Sequence, residues 1–366
     1  MGGMLCVASF PTACIGTINS KESLITVRAF IGIAGATFVP CQYWASRMFT
    51  REVVGTANAL CGGWGNLGGG VTQLVMGSAL FPLFKIFYDG DSEKAWRTVA
   101  VVPAILAFAS GVWIVLYSDD APKGNYQDLK KHGAMPEVSA AASFRNGAFN
   151  FNTWVLFLQY ACCFGVELTM NNAAALYFKD EFGQSTESAA AIASIFGWMN
   201  LFARGLGGFF SDKANARCGM RGRIWVQTVF LLAEGALVLA FANSNNLNGA
   251  IVIMIFFSLF VQAAEGSSYG IVPYIDPPAT GAISGIVGAG GNCGAVGFGM
   301  GFRQLSYRDA FIIMGCTILG SAALSPLVNI KGHSAMLWGK DTIIHKQAAT
   351  LTVPEPDAEK VEEVNA

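Results

Sequence analysis

The chain has 366 residues, of which 53% are hydrophobic and only 13% charged, with a net charge of −1 and a mean hydropathy of +0.46. That balance argues against a nucleic-acid partner and points to an integral membrane protein rather than a large soluble core. Nine cysteines lack any Cys-x-x-Cys spacing, and His132, His333 and His345 fall in loops or the tail. No disulfide framework, metal site or intramembrane histidine relay is therefore expected.

Apolar runs long enough to span a bilayer, about 20 residues each, follow one another through the chain. They are Met1–Ile18, Leu24–Trp44, Val54–Phe84, Val99–Tyr117, Trp154–Leu176, Ala189–Phe210, Trp225–Phe241, Ala250–Val272, Ala282–Phe302 and Ala310–Ile330. The reading is an all-α membrane protein of about ten spans, with no alternating pattern that would build a barrel. Fourteen Lys/Arg lie in the loops of one side (Arg47, Arg51, the 118–150 connection, Lys213 to Arg223 and the tail) against seven on the other. The positive-inside rule makes the first side, with the C-terminus, cytoplasmic. The expected organisation is a first helical bundle over 1–117, a cytoplasmic loop over 118–150, a second bundle over 151–331 and a disordered polar tail over 332–366.

The third and ninth of these runs repeat each other. Gly55-Thr-Ala-Asn-Ala-Leu-Cys-Gly-Gly-Trp-Gly-Asn-Leu-Gly68 aligns without a gap on Gly281-Ala-Ile-Ser-Gly-Ile-Val-Gly-Ala-Gly-Gly-Asn-Cys-Gly294. Gly55, Gly62 and Asn66 then share one helix face, as do Gly281, Gly288 and Asn292. Gly63-x-Gly65-x-x-Gly68, with Asp89 beyond, also matches a dinucleotide fingerprint, but Val53 to Phe84 is far too long for the strand that motif requires. Close helix packing explains the glycines. It leaves Asn66 and Asn292 unexplained, because an amide in hydrocarbon is costly without a partner. A repeat of this kind suggests a transporter built from two parallel halves. Four spans precede the long loop and six follow it, so two further spans are expected ahead of Met1.

Two basic residues remain inside the spans. Arg28 lies near the start of its run, where it can snorkel outward or bond to a neighbouring helix. Arg204, in Asn200-Leu-Phe-Ala-Arg-Gly-Leu-Gly-Gly208, sits deep, where an arginine costs about 3 kcal/mol unless it faces a polar cavity. It pairs either with a substrate anion or, structurally, with Glu167 or Glu265. Tyr160, Phe164, Glu167 and Asn171 fall at i, i+4, i+7 and i+11, one stripe of a helix. Glu265 is a second embedded acid and Glu234 a third; Glu167 and Glu265 are the candidates for carrying a proton. An arginine fork suits a planar oxyanion. Donors from Arg204, Asn66, Asn292 and Tyr160 suit nitrate, which accepts hydrogen bonds without donating them; carboxylates share that geometry. No nucleophile–base pair, metal cluster or phosphate loop points to an enzyme or to a cofactor.

The two glycine-asparagine segments resemble the paired signatures of the nitrate/nitrite porter family, of algal and plant type, in the major facilitator superfamily. Ala36-Thr-Phe-Val-Pro-Cys-Gln-Tyr-Trp44 is similar to that family's fourth helix and Gly165-Val-Glu-Leu-Thr-Met-Asn-Asn172 to its seventh. Gly208-Phe-Phe-Ser-Asp212 with Arg217, Arg221 and Arg223 is similar to a superfamily loop motif. The resemblance implies a twelve-helix major facilitator fold with the first two helices outside this sequence. It implies that Arg204, Asn66, Tyr160 and Phe164 contact substrate, and that Phe38 and Phe164 sandwich it. A second substrate arginine of the family lies in a helix this sequence does not reach. The function implied is import of nitrate coupled to protons, with nitrite left open as a second substrate. Alternatives are a nitrate receptor that does not transport, or a facilitator for another small organic anion. Expected partners are nitrate, nitrite, protons and the lipid bilayer, in the plasma membrane, with the need for a small single-span accessory subunit left open.

Overall fold

The computed structural model describes residues 1–120, 125–131 and 139–342, and their regular structure is helical throughout. The first group of helices is α1 (Gly2–Ala13), α2 (Lys21–Gly35), α3 (Phe38–Met48), α4 (Val54–Asn66) and α5 (Gly68–Val71), then, after a π-helical stretch Thr72–Leu80, α6 (Phe81–Phe87), α7 (Ser92–Val99) and α8 (Val101–Tyr117). Two short helices follow within the connection, α9 (Tyr126–Lys131) and α10 (Ala140–Phe149). The second group is α11 (Phe151–Phe182), α12 (Thr186–Trp198), α13 (Ala203–Cys218), α14 (Met220–Ala242), α15 (Leu247–Ile275), α16 (Thr280–Gln304) and α17 (Tyr307–Ala322). Eight helical stretches among the described residues are long and apolar enough to cross a membrane. The two other expected spans differ for plain reasons: Gly2–Thr17 is short, and α16, though 25 residues long, is rich in glycine, which lowers its hydropathy.

Local chemistry starts and stops the helices. Ser20 and Ser23 form a capping box at α2, the Asn246 side chain accepts from Gly249 N at 2.6 Å at α15, and Ser306 and Asp309 bond reciprocally at α17. Gly183, with φ of 62°, ends α11 in the left-handed conformation that glycine adopts without strain. The core of the second bundle is aromatic: Tyr177, Phe178, Phe241, Phe257 and Phe311 interlock, with Phe241 and Phe311 edge to face at 4.9 Å.

Three spans are broken partway along their length. The chain interrupts helix at Ala36–Thr37 between α2 and α3, at Leu67 between α4 and α5, and at a 3-10 turn Met199–Leu201 between α12 and α13. Backbone released from a helix inside a membrane protein is tolerated where it lies against protein or a polar site. These interruptions therefore mark where to look for one.

The two bundles meet along α4, which packs on α13 and α15. At its first turn α4 has no cap of its own, since Val53 offers no side-chain acceptor. Asp212 of α13 supplies one from the other bundle, accepting from Gly55 N at 3.1 Å and from Thr56 N and Thr56 Oγ1 at 2.6 Å. A carboxylate there also meets the positive end of the helix dipole. Asp212 is in turn ion-paired to buried Arg223 at 2.8 Å, and Arg223 and Tyr274 both donate to the carbonyl of Arg51. Residues 332–342, expected to begin a disordered tail, instead fold back onto this end. Arg221 donates to Ala335 O and Gly339 O, and Ser334 and His333 bond Asp341. The polar groups of the α13–α14 turn are what hold the segment there; the remainder of the tail lies outside the described residues.

Candidate functional site

Arg204 stands one turn past the Met199–Leu201 break and is 1% exposed. One terminal nitrogen of its guanidinium donates to Glu265 and the other to Tyr160 Oη at 2.7 Å, while Nε has no acceptor. The structural partner left open between Glu167 and Glu265 is therefore Glu265. Phe38 and Phe164 flank the cation, their ring centres 5.6 and 5.9 Å from Cζ. The two rings lie nearly parallel, 12° apart in plane and 6.3 Å between centres. Facing aromatic surfaces attract a buried cation and leave a flat slot beside it.

Glycine makes the fit against α4. A Cβ on Gly62 would stand 2.8 Å from Arg204 Nε and 3.0 Å from Cζ, and one on Gly63 would stand 3.0 Å from Arg204 Cβ. A side chain at Gly62 would displace the guanidinium and one at Gly63 would press on the Asn200 carbonyl and the root of the Arg204 side chain, so the glycine face admits arginine as well as helix backbone. One turn further on, Asn66 holds its Nδ2 buried and without an acceptor. Asn66 Nδ2 and Arg204 Nε are thus two unspent donors, one on each bundle.

Behind the arginine lies the opposite imbalance. Glu167 Oε1 accepts from Asn200 Nδ2 at 2.9 Å, and Glu167 and Glu265 are in side-chain contact. Gln262 donates to Phe196 O at 2.7 Å. Glu167 Oε2, Asn200 Oδ1, Gln262 Oε1 and Glu265 Oε1 are all buried and receive no donor. Buried acceptors left unsatisfied are expensive.

The expected residues fall into three classes. Arg204, Tyr160, Phe164, Phe38, Glu265 and Glu167 are brought together. Asn66 lies one turn beyond Gly62 on α4, its Nδ2 buried and unpaired. Asn292, expected to serve as a second amide donor, stands apart from this group: it is exposed and its Nδ2 turns back to Gly288 O at 3.4 Å on its own helix. Arg28 is exposed on α2, and Glu234 is buried on α14 with both oxygens unpaired. Tyr269 was not foreseen. It is buried against Phe38 and Tyr160, each at 5.2 Å, and its hydroxyl donates to Ser284 O at 2.9 Å, tying α15 to α16 at the slot. Its position four residues after Glu265 is the signal that could have found it.

Residues 1–300 match the family model described as Major Facilitator Superfamily. The chain is 41% identical to high affinity nitrate transporter 2.5 of Arabidopsis thaliana, over 76% of this chain and 55% of that protein. It is 37% identical to nitrate transporter 2.1 of Chlamydomonas reinhardtii, over 84% of this chain and 58% of that one. With a probable high-affinity nitrate transporter 2.4 of Oryza sativa subsp. japonica the identity is 30%, over 94% and 72%. The chain spans little more than half the length of the first two. Among solved structures, the major facilitator transporter FucP in its outward conformation superposes with a TM-score of 0.60 at 14% identity, over 88% of this chain and 81% of that one. The proton:xylose symporter XylE superposes with a TM-score of 0.57, also at 14%, over 88% and 77%. The chain is an integral membrane protein of the major facilitator superfamily and belongs to its family of high-affinity nitrate transporters.

Proposed function

We propose that this chain forms most of a nitrate importer in which the anion and Glu265 compete for Arg204. The observation that carries the reading is the fully buried guanidinium, flanked by two nearly parallel phenyl rings with its Nε unspent, and a second unspent donor, the Asn66 amide, one turn beyond Gly62 on α4. A planar anion slid between those rings needs about 7 Å, twice a van der Waals contact of about 3.5 Å. The 6.3 Å between ring centres lies close to that, so a small parting of the rings admits it. Nitrate fills three acceptor positions and brings no donor, which suits a lining of Arg204, Tyr160 and Asn66 and disfavours hydroxylated solutes. Nitrite shares the chemistry with one oxygen fewer.

Protonation of Glu265, assisted by Glu167, releases the arginine and lets the anion take its place. Acid outside thereby promotes loading, and the inward proton gradient drives an anion into a negative interior against about 2.3 kcal/mol per 100 mV. The bundles then rock about the site, with the Asp212 cap on α4 as one of the contacts that would part. Orientation with the Arg51–Asp212–Arg223 end cytoplasmic, and residence in the plasma membrane, complete the reading. The test is labelled-nitrate uptake with current recording in a transport-deficient host. With more than one proton entering per nitrate, so that net positive charge moves in, inward current that grows as external pH falls, with competition by nitrite and chlorate but not by monocarboxylates, is the expected result. Outward current, or uptake indifferent to pH, would exclude proton-coupled import; binding without uptake would make the protein a receptor.

A further inference from the structure

We infer that Cys41 and Cys61 form a dithiol site that a peroxide oxidises to a disulfide, clamping the nitrate slot. The inference deepens the reading of the Arg204 site as the nitrate site and rests on it. The helices α3 and α4 are antiparallel neighbours whose register is set by Gln42 Nε2 donating to Asn58 O at 3.1 Å and Asn58 Nδ2 donating to Ser46 Oγ at 2.9 Å. About one turn further along α4, this pairing sets Cys41 opposite Cys61, and the two thiols are in hydrogen-bonding contact. Both are free, Cys61 exposed and Cys41 half-buried, and hydrogen peroxide, small and uncharged, is the oxidant the site would take. The other interior thiols differ: Cys162 and Cys163 are buried and donate to the carbonyls of Thr317 and Tyr160.

Position gives the pair its consequence. Cys41 follows Phe38 by three residues and Cys61 directly precedes Gly62, so the two thiols sit beside both surfaces that α3 and α4 present to Arg204. Each helix is also interrupted near its thiol, at Ala36–Thr37 and at Leu67. A bond between the cysteines would join the segments whose freedom those interruptions provide. The rings could then no longer part around an anion. The chemistry balances with hydrogen peroxide as oxidant: one thiolate sulfur attacks the O–O bond to give a sulfenic acid and water, and the second sulfur displaces a further water to form S–S. Two thiols and one peroxide yield one disulfide and two waters. Sulfurs already in contact need only a short approach to the S–S length of about 2 Å.

The experiment treats membranes containing the full chain with hydrogen peroxide, blocks the remaining thiols with a maleimide, and maps disulfide-linked peptides by mass spectrometry. Labelled-nitrate uptake is followed before oxidation, after it, and after dithiothreitol. The expected result is a Cys41–Cys61 linked peptide, uptake reduced about tenfold, and recovery on reduction. Cys41→Ser and Cys61→Ser should each keep basal uptake and lose the sensitivity. No linked peptide overturns the site, and a linked peptide with unchanged uptake overturns the clamp. Sensitivity that persists in both serine variants would place the oxidation elsewhere and also overturn it. Because linkage is read chemically, absence of uptake in the untreated chain would fault the transport reading and leave the dithiol site to be judged by its peptide.

Discussion

The two copies of the glycine-asparagine segment share sequence and helical form but not surroundings. In α4, Gly55 lies under Asp212, Gly62 lies against the Arg204 guanidinium, and Asn66 ends the helix with its Nδ2 unpaired. In α16, Gly281 and Gly288 face the rings of Tyr43 and Phe38, and Asn292 is exposed on an unbroken helix that runs to Gln304. One copy therefore meets charge at both its glycines and the other meets only aromatic surface and a tyrosine hydroxyl. Glycine spacing decides how closely a neighbour approaches; the neighbour decides whether the approach is chemistry or packing. The asymmetry also has a direction: the cation and both acids lie on the second bundle, so the first contributes surface, one amide and the Phe38 ring.

The sharpest way to break that contrast is at the charged end of α4. Asp212→Asn leaves Arg223 buried without its carboxylate and should cost about 3 kcal/mol, read as a lower unfolding temperature of the detergent-purified chain; an unchanged temperature would remove the cap from the account. Next in size is Arg204→Lys, which keeps charge but loses the planar fork. Nitrate uptake should fall roughly thirtyfold or more, the worth of a charge-assisted bidentate contact of about 2 kcal/mol. Wild-type uptake would show that the fork is not used.

The matched alanines sharpen the comparison directly. Gly62→Ala puts a methyl 2.8 Å from Arg204 Nε, whereas Gly288→Ala puts one 3.2 Å from the Tyr269 hydroxyl. Overpacking of about 1–3 kcal/mol is expected at the first, chiefly as lost nitrate affinity, and a smaller loss at the second. Equal losses would mean that both glycines serve packing alone. Smallest is the amide pair: Asn66→Ala should raise KM for nitrate about tenfold, the worth of one hydrogen bond to a charged partner, while Asn292→Ala should leave it nearly unchanged.

Much of this was legible in the amino-acid order, for reasons that also mark the limit. Long apolar runs reveal spans because hydrocarbon admits little else. Arg204 stands out because its depth is expensive, and the Tyr160, Phe164, Glu167 stripe because helical spacing puts those side chains on one face. The choice of Glu265 over Glu167 as ion partner was not legible, since both are acids in spans and only packing separates them. The break at Met199–Leu201 has no proline to announce it, whereas the one at Ala36–Thr37 does: Pro40 cannot bond the carbonyl four residues back, at Ala36. Asp212 could be read as part of a loop motif, but its role as a cap for α4 arises only once the two bundles are side by side. Asn66 and Asn292 occupy equivalent positions in one motif, so nothing in that motif distinguishes a free donor from one folded back on its helix.

The central claim is that Glu265 occupies the place an anion takes, and nitrate binding to the purified chain as a function of pH tests it most directly. The account predicts binding that tightens as pH falls, with protons taken up, and a Glu265→Gln variant that binds nitrate tightly at every pH. Binding indifferent to pH in the wild-type chain and lost in Glu265→Gln would mean that the ion pair is a structural strut and the anion site lies elsewhere.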